Sequence, residues 1–190
     1  MKQLTKIILV ILILSKNLYF SQGTAKGLYK NSDDFLKGKM IYTERQSRIR
    51  LHDLFKKKIV TVKQNDSSFT LLKSELYGYK DKEGISYRFY KDTIYTILNP
   101  TESIILYKRT SGTGMKNSPE TESYFFSKEA GSLLLTLTLV NMEKVFSTLP
   151  SFTKLLEFTF HYDDDLITYD QQHTKFKINR LLELSENEKH

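Results

Sequence analysis

The residues best able to do chemistry are few. Of the four histidines, His52, His161, His173 and His190, two lie close to a run of acids. That stretch reads His161-Tyr162-Asp163-Asp164-Asp165, with Asp170 and His173 following. Imidazole and carboxylate groups are ligands for divalent metals. Neither histidine has the spacing of a His-Glu-x-x-His helix, and three acids at a helix start are already favoured by capping and the helix dipole. The expectation is no metal and no cofactor. Nucleophile patterns are missing as well: there is no Gly-x-Ser-x-Gly elbow, and Ser111-Gly112-Thr113-Gly114 lacks the spacing of a phosphate loop. Cysteine is absent, which removes disulfides, thiolate metal sites, a cysteine nucleophile and a lipid-modified N-terminal cysteine. No pair of carboxylates is singled out for glycoside hydrolysis.

The remaining chemistry depends on the elements that hold it. A helix is predicted from Asp163 to about Leu184, placing Leu166, Tyr169, Phe176, Leu181 and Leu184 on an apolar face. Gln172, Lys175, Asn179 and Glu183 fall opposite, on the solvent side. Asp170, His173 and Lys177 fall inside the apolar sector, spaced so that each meets the next along the helix. Buried charges need partners, so these three either form a satisfied polar cluster, with Lys177 reaching to solvent, or line a ligand-binding cleft.

A second candidate lies in the stretch Ser74–Tyr107, which reads as a meander of short antiparallel strands. Its apolar and aromatic runs are cut by turn signals at Asp81-Lys82-Glu83-Gly84, Lys91-Asp92-Thr93 and Asn99-Pro100-Thr101-Glu102. Alternation after Gly84 points Ile85, Tyr87 and Phe89 to the core and Ser86, Arg88 and Tyr90 outward. Tyr77, Tyr79, Tyr87, Tyr90, Tyr95 and Tyr107 crowd adjacent strands. An exposed tyrosine row beside Arg88 would stack on a sugar, a peptide or another protein, which makes Arg88 and Tyr90 candidate ligand-binding residues. Cross-strand packing is the plainer account of the same tyrosines. Gly78 predicts a bulge or a close backbone approach.

Around this meander the pattern predicts a short helix begun by Ser32 and ended by Gly38, a brief strand at Met40–Tyr42, and a strand over Ile59–Val62. Residues 43–57 carry only a weak helical stripe of Leu51, Leu54 and Phe55. Phe69–Lys80 reads as one long strand or two. Further strands follow at Ile94–Leu98, Ile104–Tyr107 and, beyond a flexible loop at Thr110–Thr121, at Glu122–Ser127. The period then becomes helical, with Thr138 capping a helix through Phe146 and Pro150 starting another through Phe160. The fold class is α+β: a small, twisted antiparallel sheet of about five to seven short strands, followed by C-terminal helices packed on one face.

Residues 1–23 have the three-part layout of a signal peptide, with a basic start, the apolar run Ile7–Leu14 and small residues at Ser21 and Gly23. The run is short of the roughly 20 apolar residues of a membrane span. The expected organisation is a cleaved leader over 1–23 and one exported domain over 24–190, with no transmembrane span in the mature chain. The formal charge of +7 falls to +4 once Lys2, Lys6 and Lys16 leave with the leader, since 26 bases then face 22 acids. The basic residues are scattered apart from Lys56-Lys57-Lys58, and no nucleic-acid-binding motif accompanies them, so nucleic acid is not an expected partner.

Several segments resemble a group of small exported proteins from bacteria of the Bacteroidetes type. They are Gly27-Leu28-Tyr29 with Asp34-Phe35, Tyr77-Gly78-Tyr79 with Gly84 and Tyr87-Arg88-Phe89, Tyr124-Phe125-Phe126-Ser127, and Tyr169-Asp170 with Asn179-Arg180-Leu181-Leu182. The resemblance spans most of the mature chain. It implies export and carries no catalytic residue. The expected function is a non-enzymatic binding or interaction module of the cell envelope, periplasmic or at the surface, with an unknown protein, peptide or glycan partner. The alternatives are a hydrolase-like envelope enzyme centred near Asp170 and His173, and a small-ligand carrier with a cavity between sheet and helices.

Overall fold

The computed structural model describes residues 25–43, 47–52, 58–111 and 121–187. The export segment, Leu54, Phe55 and most of the loop expected at 110–121 lie outside them. Strand β1 (Gly27–Tyr29) is followed by helix α1 (Ser32–Leu36). Strands β2 (Arg48–Arg50), β3 (Ile59–Gln64) and β4 (Ser67–Leu72) form a three-stranded antiparallel sheet of their own. The meander supplies β5 (Gly78–Lys80), β6 (Ser86–Tyr90), β7 (Thr93–Ile97) and β8 (Ile105–Ser111), and continues into β9 (Thr121–Ser127) and β10 (Leu135–Thr136). With β1 beside β5, these make a seven-stranded antiparallel sheet in the order β1-β5-β6-β7-β8-β9-β10.

Local chemistry explains the turns. Lys91 and Asp92 both take left-handed φ values, 48° and 62°, as a two-residue hairpin loop that matches strand twist requires. Asp81 Oδ1 accepts from the backbone N–H of Glu83 and of Ile85, each at 2.9 Å, closing the turn before β6. Gly78 fulfils the expected close approach: a Cβ there would stand 1.9 Å from the carbonyl oxygen of Tyr87. Asn31, one residue before the predicted Ser32, caps α1, its Oδ1 accepting from Asp34 N–H at 2.8 Å. Phe69–Lys80 divides into β4 and β5, joined by a 3₁₀ turn at Lys73–Glu75.

The large sheet is covered on both faces. On one face, Leu98, Leu106, Tyr124 and Phe126 pack against Met142, Phe146, Phe152, Leu156, Ile178, Leu181 and Leu182. These come from helices α2 (Leu139–Val145, with Phe146 as its C-cap), α3 (Pro150–Thr159) and α4 (Lys177–Asn187). Thr138 and Pro150 start α2 and α3 as predicted. Toward β1, the same face meets the small sheet, whose Val60 and Val62 pack with Leu28 and Phe89. The opposite face carries Tyr29, Tyr77, Tyr95, Ile97, Ile105 and Tyr107, and is roofed by Phe35 of α1 with Ala130 and Leu134. No helix among the described residues is long and apolar enough to cross a membrane.

This double covering corrects the predicted wet face. Ser86 and Arg88 are buried and Tyr90 is half-buried, while Ile85, expected in the core, is 41 % exposed. The alternation of β6 is as predicted, but the segment 128–134 has no apolar period to betray that it lies over the other side.

The third C-terminal helix is also corrected. Asp163–Ile167 forms only a 3₁₀ turn, and β11 (Tyr169–Asp170) and β12 (Lys175–Phe176) pair as a small hairpin before α4 begins at Lys177. Two causes compete with the helix here. Asp170 Oδ1 accepts from the N–H groups of Gln172 and His173 at 3.0 and 3.1 Å, offering the backbone a turn instead. Tyr169 and Phe176 also meet edge to face across the hairpin, centroids 5.3 Å apart. Tyr169 and Leu184, expected on the apolar face, are exposed.

Asn179 was expected on the solvent side and is 3 % exposed. Its Oδ1 accepts from Ile104 N–H at 2.8 Å and its Nδ2 donates to Ile104 O at 2.9 Å. Asn99 completes the clamp, donating to Ile104 O at 2.9 Å and accepting from Leu106 N–H at 2.6 Å. A carboxamide carries a donor and an acceptor together, so it can serve the N–H and C=O of one strand residue at once. Burial of this particular polar residue follows from that pairing.

Candidate functional site

Asp170, His173 and Lys177 do not share a helix face. Asp170 and His173 sit in the exposed β11–β12 turn, where His173 Nδ1 lies 2.7 Å from Asp170 Oδ2. This contact, reinforced by the turn N–H groups, holds the Asp170 carboxyl below its usual range. A carboxylate on Nδ1 is how a general base is oriented, yet among the described residues no hydroxyl is hydrogen-bonded to the other ring nitrogen. Lys177 points elsewhere, its Nζ lying 5.7 Å from the Phe160 ring centre. The pair is explained as a turn lock. Among the described residues no three His, Asp or Glu side chains gather as a metal-ion set.

Arg88 and Tyr90 are brought together, but under cover. Arg88 faces Gly78 on one neighbouring strand and Tyr95 on the other, and is 5 % exposed. Its guanidinium carbon lies 5.3 Å from the ring centres of both Tyr77 and Tyr90, and 5.4 Å from that of Tyr107. Nη1 donates to the Tyr107 hydroxyl at 3.0 Å and Nη2 to the carbonyl of Ser132 at 2.7 Å. The Tyr107 hydroxyl in turn lies 2.8 Å from Ser127 Oγ. Cation–π attraction partly replaces the lost hydration of the charge. Burial, and then the neighbouring Tyr107, push the Tyr77 hydroxyl far up. Sequence alternation finds Arg88 and Tyr107, while Ser127 and Ser132 are visible only from the strand register and the covering segment.

An open cleft lies on the helical side of the sheet, at its β10 edge. It has a volume of about 370 Å³ and is walled by Glu122 and Tyr124 of β9, Thr136 and Thr138, and Asp163 and Asp164. Leu137 and Ile167 supply apolar surface. The size falls in the range of small-molecule sites. Glu122 is held in place from both sides: Lys108 Nζ donates to Oε1 at 2.8 Å and the Tyr124 hydroxyl to Oε2 at 2.6 Å. Those bonds, the Lys108 one foremost, keep the Glu122 carboxyl below its usual range. Asp163 Oδ1 accepts from Leu139 N–H at 2.8 Å, tying the acid-rich turn to the start of α2. Two carboxylates held by internal donors, two threonines and Tyr124 therefore line the same volume. Alternation along β9 already places Glu122, Tyr124 and Phe126 on one face, but nothing in the sequence brings Asp163 beside them.

No protein-family model, no curated protein and no solved structure matches this chain, so the resemblance to small exported proteins rests on the quoted residues alone.

Proposed function

We propose that the protein is an exported, non-enzymatic binding module of the cell envelope, and that the cleft beside β9 and β10 receives a hydroxyl-rich ligand of the carbohydrate class. The observation that carries this reading is the cleft's composition. Carboxylates already oriented by internal donors offer their remaining lone pairs, beside threonine hydroxyls and the Tyr124 ring. Acceptors held in advance and an aromatic platform suit sugars, which are donor-rich at the edge and apolar on the ring face. The carrier alternative is weakened by the packing between sheet and helices, where Leu106 and Phe126 meet Met142, Phe152 and Leu156 with all five fully buried.

Export rests on the leader-like pattern of residues 1–23. Cell fractionation tests it: recovery with the envelope or medium is expected, and recovery solely from cytosol would overturn it. The cleft is tested by glycan-array screening followed by calorimetry on the best ligand. Tyr124→Ala and Glu122→Gln should each weaken binding at least about tenfold, the loss of one good contact. Binding that survives both substitutions would place the ligand elsewhere.

A further inference from the structure

We infer that Arg88, Tyr77, Tyr107 and Ser127 form a second binding site, for a carboxylate group, beneath residues 128–134. It lies on the face of the sheet opposite the three C-terminal helices and does not depend on the cleft. The first ground is charge. Arg88 is nineteen-twentieths buried, yet its hydrogen-bond partners are two neutral oxygens, and no acid pairs with it among the described residues. A buried cation is balanced best by an anion.

The second ground is an excess of donors. A guanidinium carries five N–H groups, and the structure gives Arg88 bonds to the Tyr107 hydroxyl and the Ser132 carbonyl. Tyr77, whose ring centre lies 5.3 Å from the guanidinium carbon, is 8 % exposed, and among the described residues its buried hydroxyl makes no well-formed hydrogen bond, although the neighbouring Tyr107 hydroxyl is close enough to act on it. Burial keeps that hydroxyl protonated, so it remains a donor. Tyr107 and Ser127 add two more hydroxyls to the same network. A carboxylate brings several acceptor positions and no proton, which is what the network lacks.

The third ground is the polar tie under the roof. Ser132 O is the polar tie between segment 128–134 and Arg88; Ala130 and Leu134 anchor the segment in the core, while Leu133 is 70 % exposed. Turning the Ser132 carbonyl aside, with Ala130 and Leu134 still in place, frees Nη2, and a ligand carboxylate takes its place as a stronger, charged acceptor. The walls are the rings of Tyr77, Tyr90 and Tyr107. They fit a flat monocarboxylate better than a more strongly hydrated phosphate dianion. The carboxylate belongs either to a small free acid or to the C-terminus of a peptide.

The test is thermal unfolding of the purified protein with sodium benzoate replacing sodium chloride at constant ionic strength. At about ten times the Kd, Tm should rise by about 3 °C. Tyr77→Phe should raise the benzoate concentration needed at least about threefold, as expected for one lost hydrogen bond. Arg88→Met should abolish the shift; if that variant does not fold, Tyr77→Phe decides alone. No shift beyond chloride, equal shifts in Tyr77→Phe, or a shift with inorganic phosphate but not benzoate would each overturn the site. Where benzoate binds, a short acetylated peptide with a free C-terminus is compared with its amide. Preference for the acid form assigns a peptide terminus, and binding of neither assigns a small free acid.

Discussion

Replacing Asn179 with alanine tests the fold at its most specific joint. The substitution removes two hydrogen bonds, of 2.8 and 2.9 Å, between α4 and the backbone of Ile104. Their consequences differ. Ile104 O keeps its bond from Asn99, so only about 1 kcal/mol is lost there. Ile104 N–H is left buried without a partner, which costs about 1–3 kcal/mol. The expected loss is about 2–4 kcal/mol, a large share of the roughly 5–15 kcal/mol that holds a domain together. For a chain of this size Tm should fall by about 4–16 °C. Urea unfolding followed by far-UV circular dichroism measures it, with an unchanged m value showing that the loss is one of stability. Asn179→Leu restores volume but not the bonds, and should lose nearly as much. A double-mutant cycle with Asn99→Ala should be non-additive, because only the double variant strips Ile104 O of both donors. A cost below about 1 kcal/mol for Asn179→Ala, or a neutral Asn179→Leu, would show that the clamp on Ile104 does not hold α4 in place.

Other expectations are equally direct. Gly78→Ala would set a Cβ 1.9 Å from a backbone oxygen that cannot move aside, so expression should give no folded protein by circular dichroism. Burial, then the hydrogen bond to Asp81, push the Tyr87 hydroxyl up to about 12, above the 10.0 of an unfolded chain. The folded state therefore holds that proton more tightly: this contribution is complete below pH 10 and is lost as pH climbs toward 12. Urea midpoints across that range should fall less steeply in Tyr87→Phe. The Asp170 carboxyl, held low by His173, contributes in the other direction, fully at neutral pH and progressively less as pH falls below 3.8. Asp170→Asn should lower Tm slightly at pH 7, and the gap to the parent should close in acid.

The sequence carried most of the sheet because hairpins are local. Turn residues at 81–84 and 91–92 and alternating strands between them suffice to pair β5, β6 and β7. Thr138 and Pro150 announced α2 and α3 through chemistry confined to one turn. What stayed hidden was non-local. Arg88 reads as outward because its strand alternates, and only the return of residues 128–134 over that face buries it. Asn179 reads as surface because asparagine usually is, and only its contact with Ile104 gives it reason to be inside. Asp163–Leu184 reads as one helix because its apolar spacing suits one, while the side chain of Asp170 competes for the same backbone. The candidate sites follow the same division. Tyr124 and Arg88 are visible as members of strands, but the companions that make a cleft and a cage come from elsewhere in the chain.

The clamp on Ile104 also sets a schedule for the chain's birth. Asn179 lies 75 residues after the strand entrance it completes, about 4–15 s of translation. During that interval a nascent chain has already made Leu106 and Phe126 and has nothing to lay over them, since the helices that cover both come later. Such a chain is sticky and slow to commit, because its decisive contact is distant in sequence. It should spend that interval as a client of holding chaperones. Folding then becomes a late event, because the contacts that cover the sheet await α4.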